Sequence, residues 1–288
     1  SPTLRLGLYA LDHHLLPEPF VEGLIFANAS SRSRPSFFLG SISTSGHLAY
    51  FPLAFLVKTP LTTLFILLLS LLLFASPFAP SRSLLLIPFL IYLLPTLFTS
   101  INIGIRHILP LYPLLYIAAA IPLSRLYTQY PKLLRPLFAL LFLTLSIETL
   151  TAYPNYIPFF NAAAGGYRGG LHLLGDSNLD WGQDLPLLAD WQQHHPGRTL
   201  HLAYFGTADP AYYGIHYQNL PHGYRFSPDP PPPPALPTTG VLAISASNLQ
   251  SVEFSDPHDP IYVPFLHRKP TLILGGSIYL FDLDHPTR

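Results

Sequence analysis

The sequence predicts an α-helical transmembrane bundle of about four spans followed by a small α/β domain. Three observations lead there. The chain of 288 residues is 49% hydrophobic and only 10% charged, well below the roughly 25% charge of average globular usage. Between about residues 50 and 150 apolar runs alternate with short polar breaks, and after about Thr151 the hydropathy drops to a globular pattern. The expected organisation is an outer-side loop with an amphipathic helix over 1–48, a transmembrane region over 49–150 and an extracytoplasmic α/β domain over 151–288.

Composition also excludes some classes. The formal net charge is zero and no basic stripe is interleaved with aromatics, which argues against a nucleic-acid partner. The chain has no cysteine, so disulfides, thiolate metal sites and thiol nucleophiles are out. It also has no methionine, and a chain beginning "SPTLRLGLY" reads as a fragment or a processed product. Lack of a signal peptide at this end therefore says nothing about targeting.

Taken in order, "LLPEPFVEGLIFA" (15–27) reads as a short amphipathic helix with Glu18 and Glu22 spaced i, i+4 on a solvated face. A spanning helix needs roughly 20 predominantly apolar residues. Four runs approach this. The first is Pro60 to Ala75, extended backwards through "YFPLAFLV", and the second is Leu84 to Phe98. The third is Ile108 to Leu123, and the fourth runs from about Leu133 to Leu150. Cytoplasmic loops collect Lys and Arg. Arg82 and the set Arg125, Lys132 and Arg135 are accordingly assigned inside and Arg106 outside, which puts both ends of the chain on the outer face. Tyr50, Tyr112, Tyr116, Tyr127 and Tyr130 suit interfacial anchors.

Beyond Thr151, "TLHLAYFG" (199–206) and "GVLAISAS" (240–247) look like short buried strands. Each precedes a helix-start signal: Asp209 before Pro210, and Ser247 with Gln250 as a capping box. "TLILGGSIYLFDL" is either a hairpin turning at Gly275-Gly276 or one strand with a glycine bulge, and "PDPPPPPALP" (228–237) is extended polyproline loop.

Three stretches could carry chemistry. "GDSNLDWGQDL" concentrates Asp176, Asn178, Asp180, Trp181, Gln183 and Asp184. Asp176, Asn178 and Asp180 alternate as in a calcium loop. The glycine, however, falls one place late, at Gly182, and Leu187 stands where a bidentate glutamate belongs. Asp180 with Gln183 fits a capping box, and a helix starting at Asp184 would make Pro186 harmless. In the second stretch Lys58 sits at the apolar boundary of the first span, where it either snorkels to headgroups or holds a lipid phosphate. In the third, "INIGIRHILP", Arg106 offers a fork for a phosphate and His107 a proton donor near neutral pH. Lys58, Arg106 and His107 then form an outer-leaflet cationic cluster. The neighbouring pairs His13-His14 and His194-His195 do not face one way on a helix, and no metal role is assigned to them.

Taken together, "FFLGSISTSGHLAYFPLAFLVKTPL", "GIRHILPLYP", "YPNYIPFFNAAAGGYRGGLHLL" and "DSNLDWGQDL" resemble phospholipid-carrier-dependent bacterial membrane glycosyltransferases of the protein-mannosyltransferase-like family 39, in the GT-C superfamily. The resemblance covers nearly the whole chain and implies a multi-pass enzyme of the bacterial inner membrane. Such an enzyme moves a sugar from a polyprenyl-phosphate donor to an acceptor on the outer face, with membrane lipids as surroundings and a divalent metal left open as cofactor. The family's catalytic acidic residue lies in a first outer loop that no segment here matches, so the catalytic residues are expected upstream of Ser1. Substrate-side residues are expected to be Lys58, Arg106, His107 and the Asp176 to Asp184 loop. His47 departs from the family, where an aromatic residue is usual, and so does Pro186. A non-catalytic membrane-anchored binding domain and a transporter component are the competing classes. A transporter would put ionisable groups in mid-span, whereas Lys58, Arg106 and Glu148 lie near span ends.

Overall fold

The computed structural model describes residues 2–30, 34–73, 80–227, 235–252 and 261–285, so most of the polyproline run lies outside the described residues. The chain opens with a helical hairpin, α1 (Pro2–Asp12) and α2 (Glu18–Ser30), followed by a short ribbon, β1 (Ser36–Phe38) against β2 (Ser41–Ser43). The helical region comprises α3 (Tyr50–Lys58), α4 (Leu61–Leu72), α5 (Pro80–Leu97), α6 (Leu111–Gln129) and α7 (Pro131–Ala152). After α8 (Gly166–Gly170) and α9 (Leu185–His194) come β3 (Leu200–Ala203), β4 (Gln218–Asn219), β5 (Val241–Ser245), α10 (Ala246–Leu249), α11 (Val263–Leu266), β6 (Leu272–Leu274) and β7 (Ile278–Asp282).

The second sheet has the order β4-β3-β5-β7-β6. β3 runs parallel to β4 and β5, while β7 is antiparallel to β5 and β6. Alternation along the central strands gives the sheet two apolar faces. Val241, Ala243, Ile278 and Leu280 pack with Leu185 and Leu188 of α9. Leu242, Ile244, Tyr279 and Phe281 share the opposite core with Tyr50, Phe51 and Ala54 of α3 and with Leu174 and Leu179. Burial on both faces explains why "VLAIS" reads as an unbroken apolar run.

That second core overturns the expected four-span bundle. Among the described residues only α7 is long and apolar enough to cross a membrane, or two elements qualify if α3 and α4 count as one span bent by 113°. The bend has a local cause. Proline has no N–H and restricts the residue before it to extended backbone. Thr59 accordingly adopts φ −92, ψ 135, and α3 stops at Lys58. Asn161 satisfies the carbonyls this exposes, donating from Nδ2 to Leu56 O and Thr59 O and from its backbone N–H to Val57 O. The apolar run read as the first half of a span is therefore a separate helix that packs Tyr50, Phe51 and Ala54 under the sheet. The second expected span has a described apolar stretch of Leu84–Leu97 only, and the third lies in α6, whose last turns carry Ser124, Arg125, Thr128 and Gln129. Loop orientation counted over four spans loses its basis with them.

Smaller expectations meet mixed outcomes. The Gly275-Gly276 segment is the hairpin β6–β7, and Asp209 caps the 3₁₀ turn Pro210–Tyr213 by accepting from Ala211 N–H. Ser247 is no cap: α10 starts two residues earlier than the capping box required, with Ser245 at its N-cap. His47 stacks on Phe38 with centroids 4.8 Å apart, so the imidazole occupies an aromatic's place.

Candidate functional site

The loop from Gly175 to Asp184 crosses the seam between the helical region and the sheet. Its hub is Asn178, which is fully buried. The Asn178 side chain donates to Tyr50 Oη (2.8 Å) and Gly175 O (3.0 Å) and accepts from Ile105 N–H (3.0 Å). Its backbone carbonyl accepts from Lys58 Nζ at 2.7 Å. Ser177 Oγ donates to Ile103 O. Stretches some 70 residues apart in sequence, 103–107 and 175–184, are thus bonded into one corner.

The carboxylates of this loop are committed to architecture. Asp176 accepts from Arg34 at 3.2 Å, a pair in which the arginine is partly exposed and the aspartate is not. Asp180 is fully buried and accepts from Gly182 N–H (2.9 Å) and Ser247 N–H (3.3 Å). Burial pushes its pKa from 3.8 up to about 7 against those hydrogen bonds. Asp184 accepts from the N–H and Oγ of Ser277, and burial raises its pKa as well. A side chain at Gly275, where φ is +58°, would collide with the Asp184 carboxylate, so the hairpin turn and this aspartate require each other.

The capping box expected of Asp180 and Gln183 is absent. α9 begins at Leu185 with Pro186 in its first turn, and Asp184 stands at the N-cap with its side chain bonded to Ser277 and not to the helix's own N–H groups. Gln183 instead accepts from Trp181 N–H and donates to Leu179 O. Pro186 in the first turn removes only an N–H that has no intrahelical partner. Among the described residues no three of His, Asp or Glu converge as a metal ligand set.

The cationic residues divide. Lys58 turns inward: Nζ donates to Ile157 O and Asn178 O, both at 2.7 Å, and lies 4.5 Å from the centroid of Phe160. It ties the seam together and is not a free phosphate ligand beside Arg106. Arg106 is exposed and its guanidinium stacks 4.9 Å from the Trp181 ring, which is itself 54% exposed. His107 packs edge-on to Phe51, and its buried Nε2 has no hydrogen-bond partner among the described residues. Burial, then the charges of Arg106 and Arg34, hold the imidazole below its usual pKa. Two arginines therefore act on one neutral histidine next to an exposed indole. Arg34 was not legible in the sequence, because its partner lies 142 residues away and nothing local marks the pair.

No protein-family model matches this chain, and no curated protein or solved structure does either.

Proposed function

We propose that this chain is the C-terminal portion of a membrane glycosyltransferase using a polyprenyl-phosphate sugar donor on the extracytoplasmic face of a bacterial inner membrane. In this reading Arg106, Arg34 and His107 receive the carrier phosphate and Trp181 supplies a platform for the sugar. One observation carries it: the two stretches with the most specific resemblance, "GIRHILPLYP" and "DSNLDWGQDL", meet through Asn178 and put an exposed guanidinium on an exposed indole.

The chemistry suits a phosphorylated sugar. A guanidinium pairs with two phosphate oxygens at once, and an indole offers its apolar face to a sugar ring and its N–H to a polar partner. The Trp181 indole N–H already bonds Ser177 O at 3.3 Å, which fixes the ring beside Arg106. An arriving anion would favour the charged form of His107 through its charge. Lys58 and the aspartates hold this corner in shape. The reading assigns donor binding to these residues and leaves the base that deprotonates the acceptor unassigned.

The test is direct binding of a polyprenyl phosphate to the chain in detergent micelles. Arg106→Ala should weaken binding about tenfold, equivalent to about 1.4 kcal/mol, with an unchanged melting temperature. Equal affinity of the two proteins would refute the assignment.

A further inference from the structure

A cavity of about 650 Å³ lies on another side of the seam, where α4 and the C-terminal end of α7 meet the β6–β7 hairpin. It is distinct from the Arg106–Trp181 corner and carries the opposite electrostatics. No lysine, arginine or histidine lines it among the described residues, and its one ionisable carboxylate is Glu148. Around Glu148 stand the hydroxyls of Thr62, Thr144 and Thr151 and the amide of Asn155, while Leu61, Ile147 and Phe159 make an apolar wall.

Glu148 is held in place. Its Oε1 accepts from Leu61 N–H at 3.2 Å, at the start of α4, where helix N–H groups lack partners and negative charge is favoured. One hydrogen bond leaves most of a carboxylate's acceptor capacity unused. Thr62 donates to Thr144 Oγ1, Thr144 to Leu141 O and Thr151 to Glu148 O, so each threonine oxygen retains lone pairs for a ligand. The cavity thus presents mainly acceptors at its polar end, beside a helix that is long and apolar enough to lie in a bilayer.

We infer that this cavity binds a neutral, polyhydroxylated amphiphile of the glycolipid type, its hydroxyl head at Glu148 and the threonines and its tail along the apolar wall. Charge complementarity selects the head. Glu148, with no cationic side chain lining the cavity among the described residues, repels a phosphate or sulfate, whereas a polyol brings several O–H donors to the acceptors present. The position at the end of α7 selects an amphiphile over a free sugar, because the exposed apolar surface of α4 and α7 continues from the wall: Phe65, Leu68, Leu143 and Ile147 are each about half exposed. The volume is within the range of roughly 300–1,000 Å³ usual for ligand sites. This inference does not rest on sugar transfer from a polyprenyl carrier.

The experiment is photolabelling of the whole chain in lipid nanodiscs with octyl glucoside carrying a diazirine in its tail, read by peptide mass spectrometry. Labels should concentrate in residues 144–167 and 273–276, and excess unlabelled octyl glucoside should displace them while octyl phosphate and octylammonium do not. Glu148→Gln keeps an acceptor for Leu61 N–H and should retain the melting temperature while cutting labelling about fivefold. Ala152→Phe, which fills the cavity from the last turn of α7 and leaves the Glu148 carboxylate present, should abolish it. Labelling spread evenly over the apolar helices, labelling unmoved by Ala152→Phe, or equal displacement by octyl phosphate or octylammonium would each overturn the inference.

Discussion

Strand β5 and the middle of helix α7 are both apolar runs in sequence and opposite in what they bury. Leu242, Ala243 and Ile244 are 0% exposed, whereas Phe142 and Leu150 are 73% and 70% exposed. Apolar runs therefore have two meanings within this one chain. On β5 they are two faces of a sheet closed by α9 and α3, and on α7 they are an outward surface that water does not suit. The polar groups divide in parallel. The sheet side engages its carboxylates internally, Asp180 with Ser247 and Asp184 with Ser277, while the corner beside the helices turns Arg106 and Trp181 outward.

The sharpest way to break this comparison is to truncate both sides. Leu242→Ala should cost about 2–5 kcal/mol and Phe142→Ala within about 0.5 kcal/mol, by urea midpoints in the same detergent. Equal costs would mean that α7 is buried in the folded protein after all.

Next in size is the pH dependence of Asp180. Its folded pKa of about 7 lies above the unfolded value near 3.8, so its contribution is complete below about pH 4 and is lost as pH rises through about 7. Asp184, raised in the same direction by burial, adds to that slope. Stability should therefore fall by a few kcal/mol between pH 4 and 8 from these groups, and Asp180→Asn should flatten the profile. An unaltered profile would place the titrating group elsewhere.

Asn178→Ala removes the hub between the two regions, leaving Ile105 N–H and Tyr50 Oη without partners. The expected loss is about 1–3 kcal/mol for the buried groups left unsatisfied, read as a lower melting temperature. A wild-type melting temperature would show that the seam is held by other contacts. The smallest effect on the fold belongs to Trp181→Ala, within about 0.5 kcal/mol as for an exposed position, yet it should weaken polyprenyl-phosphate-sugar binding several-fold. Lost stability with intact binding would make the indole a packing element only.

Much of the local structure was legible because its causes are local. Pro186 is harmless if the helix starts near Asp184, and α9 begins at Leu185. Gly275-Gly276 offered a hairpin turn, and "VLAIS" an interior strand. The partners of the acidic loop were not legible. Asp180 with Gln183 satisfied the spacing of a capping box, but the carboxylate is taken by Ser247 N–H, 67 residues on. Sequence spacing ranks only neighbours, and a buried carboxylate goes to whichever donors the fold leaves unpaired beside it. Lys58 follows the same rule: its position suggested either a snorkelling side chain or a phosphate ligand, and its environment supplies two carbonyls and a ring.

By itself the sequence determined which segments must leave water and where glycines permit a turn or bulge: the apolarity of 50–58, 131–152 and 241–245 and the Gly275-Gly276 pair. Tertiary structure decided what each apolar segment meets and which polar groups stay free. Hydrophobic burial has no direction, so "YFPLAFL" could equally have entered a bilayer. The open face of the sheet, bounded by Leu242, Ile244, Tyr279 and Phe281, takes Tyr50, Phe51 and Ala54 instead. The same packing draws residues 103–107 against 175–184 and leaves Arg106 stacked on Trp181 at the surface.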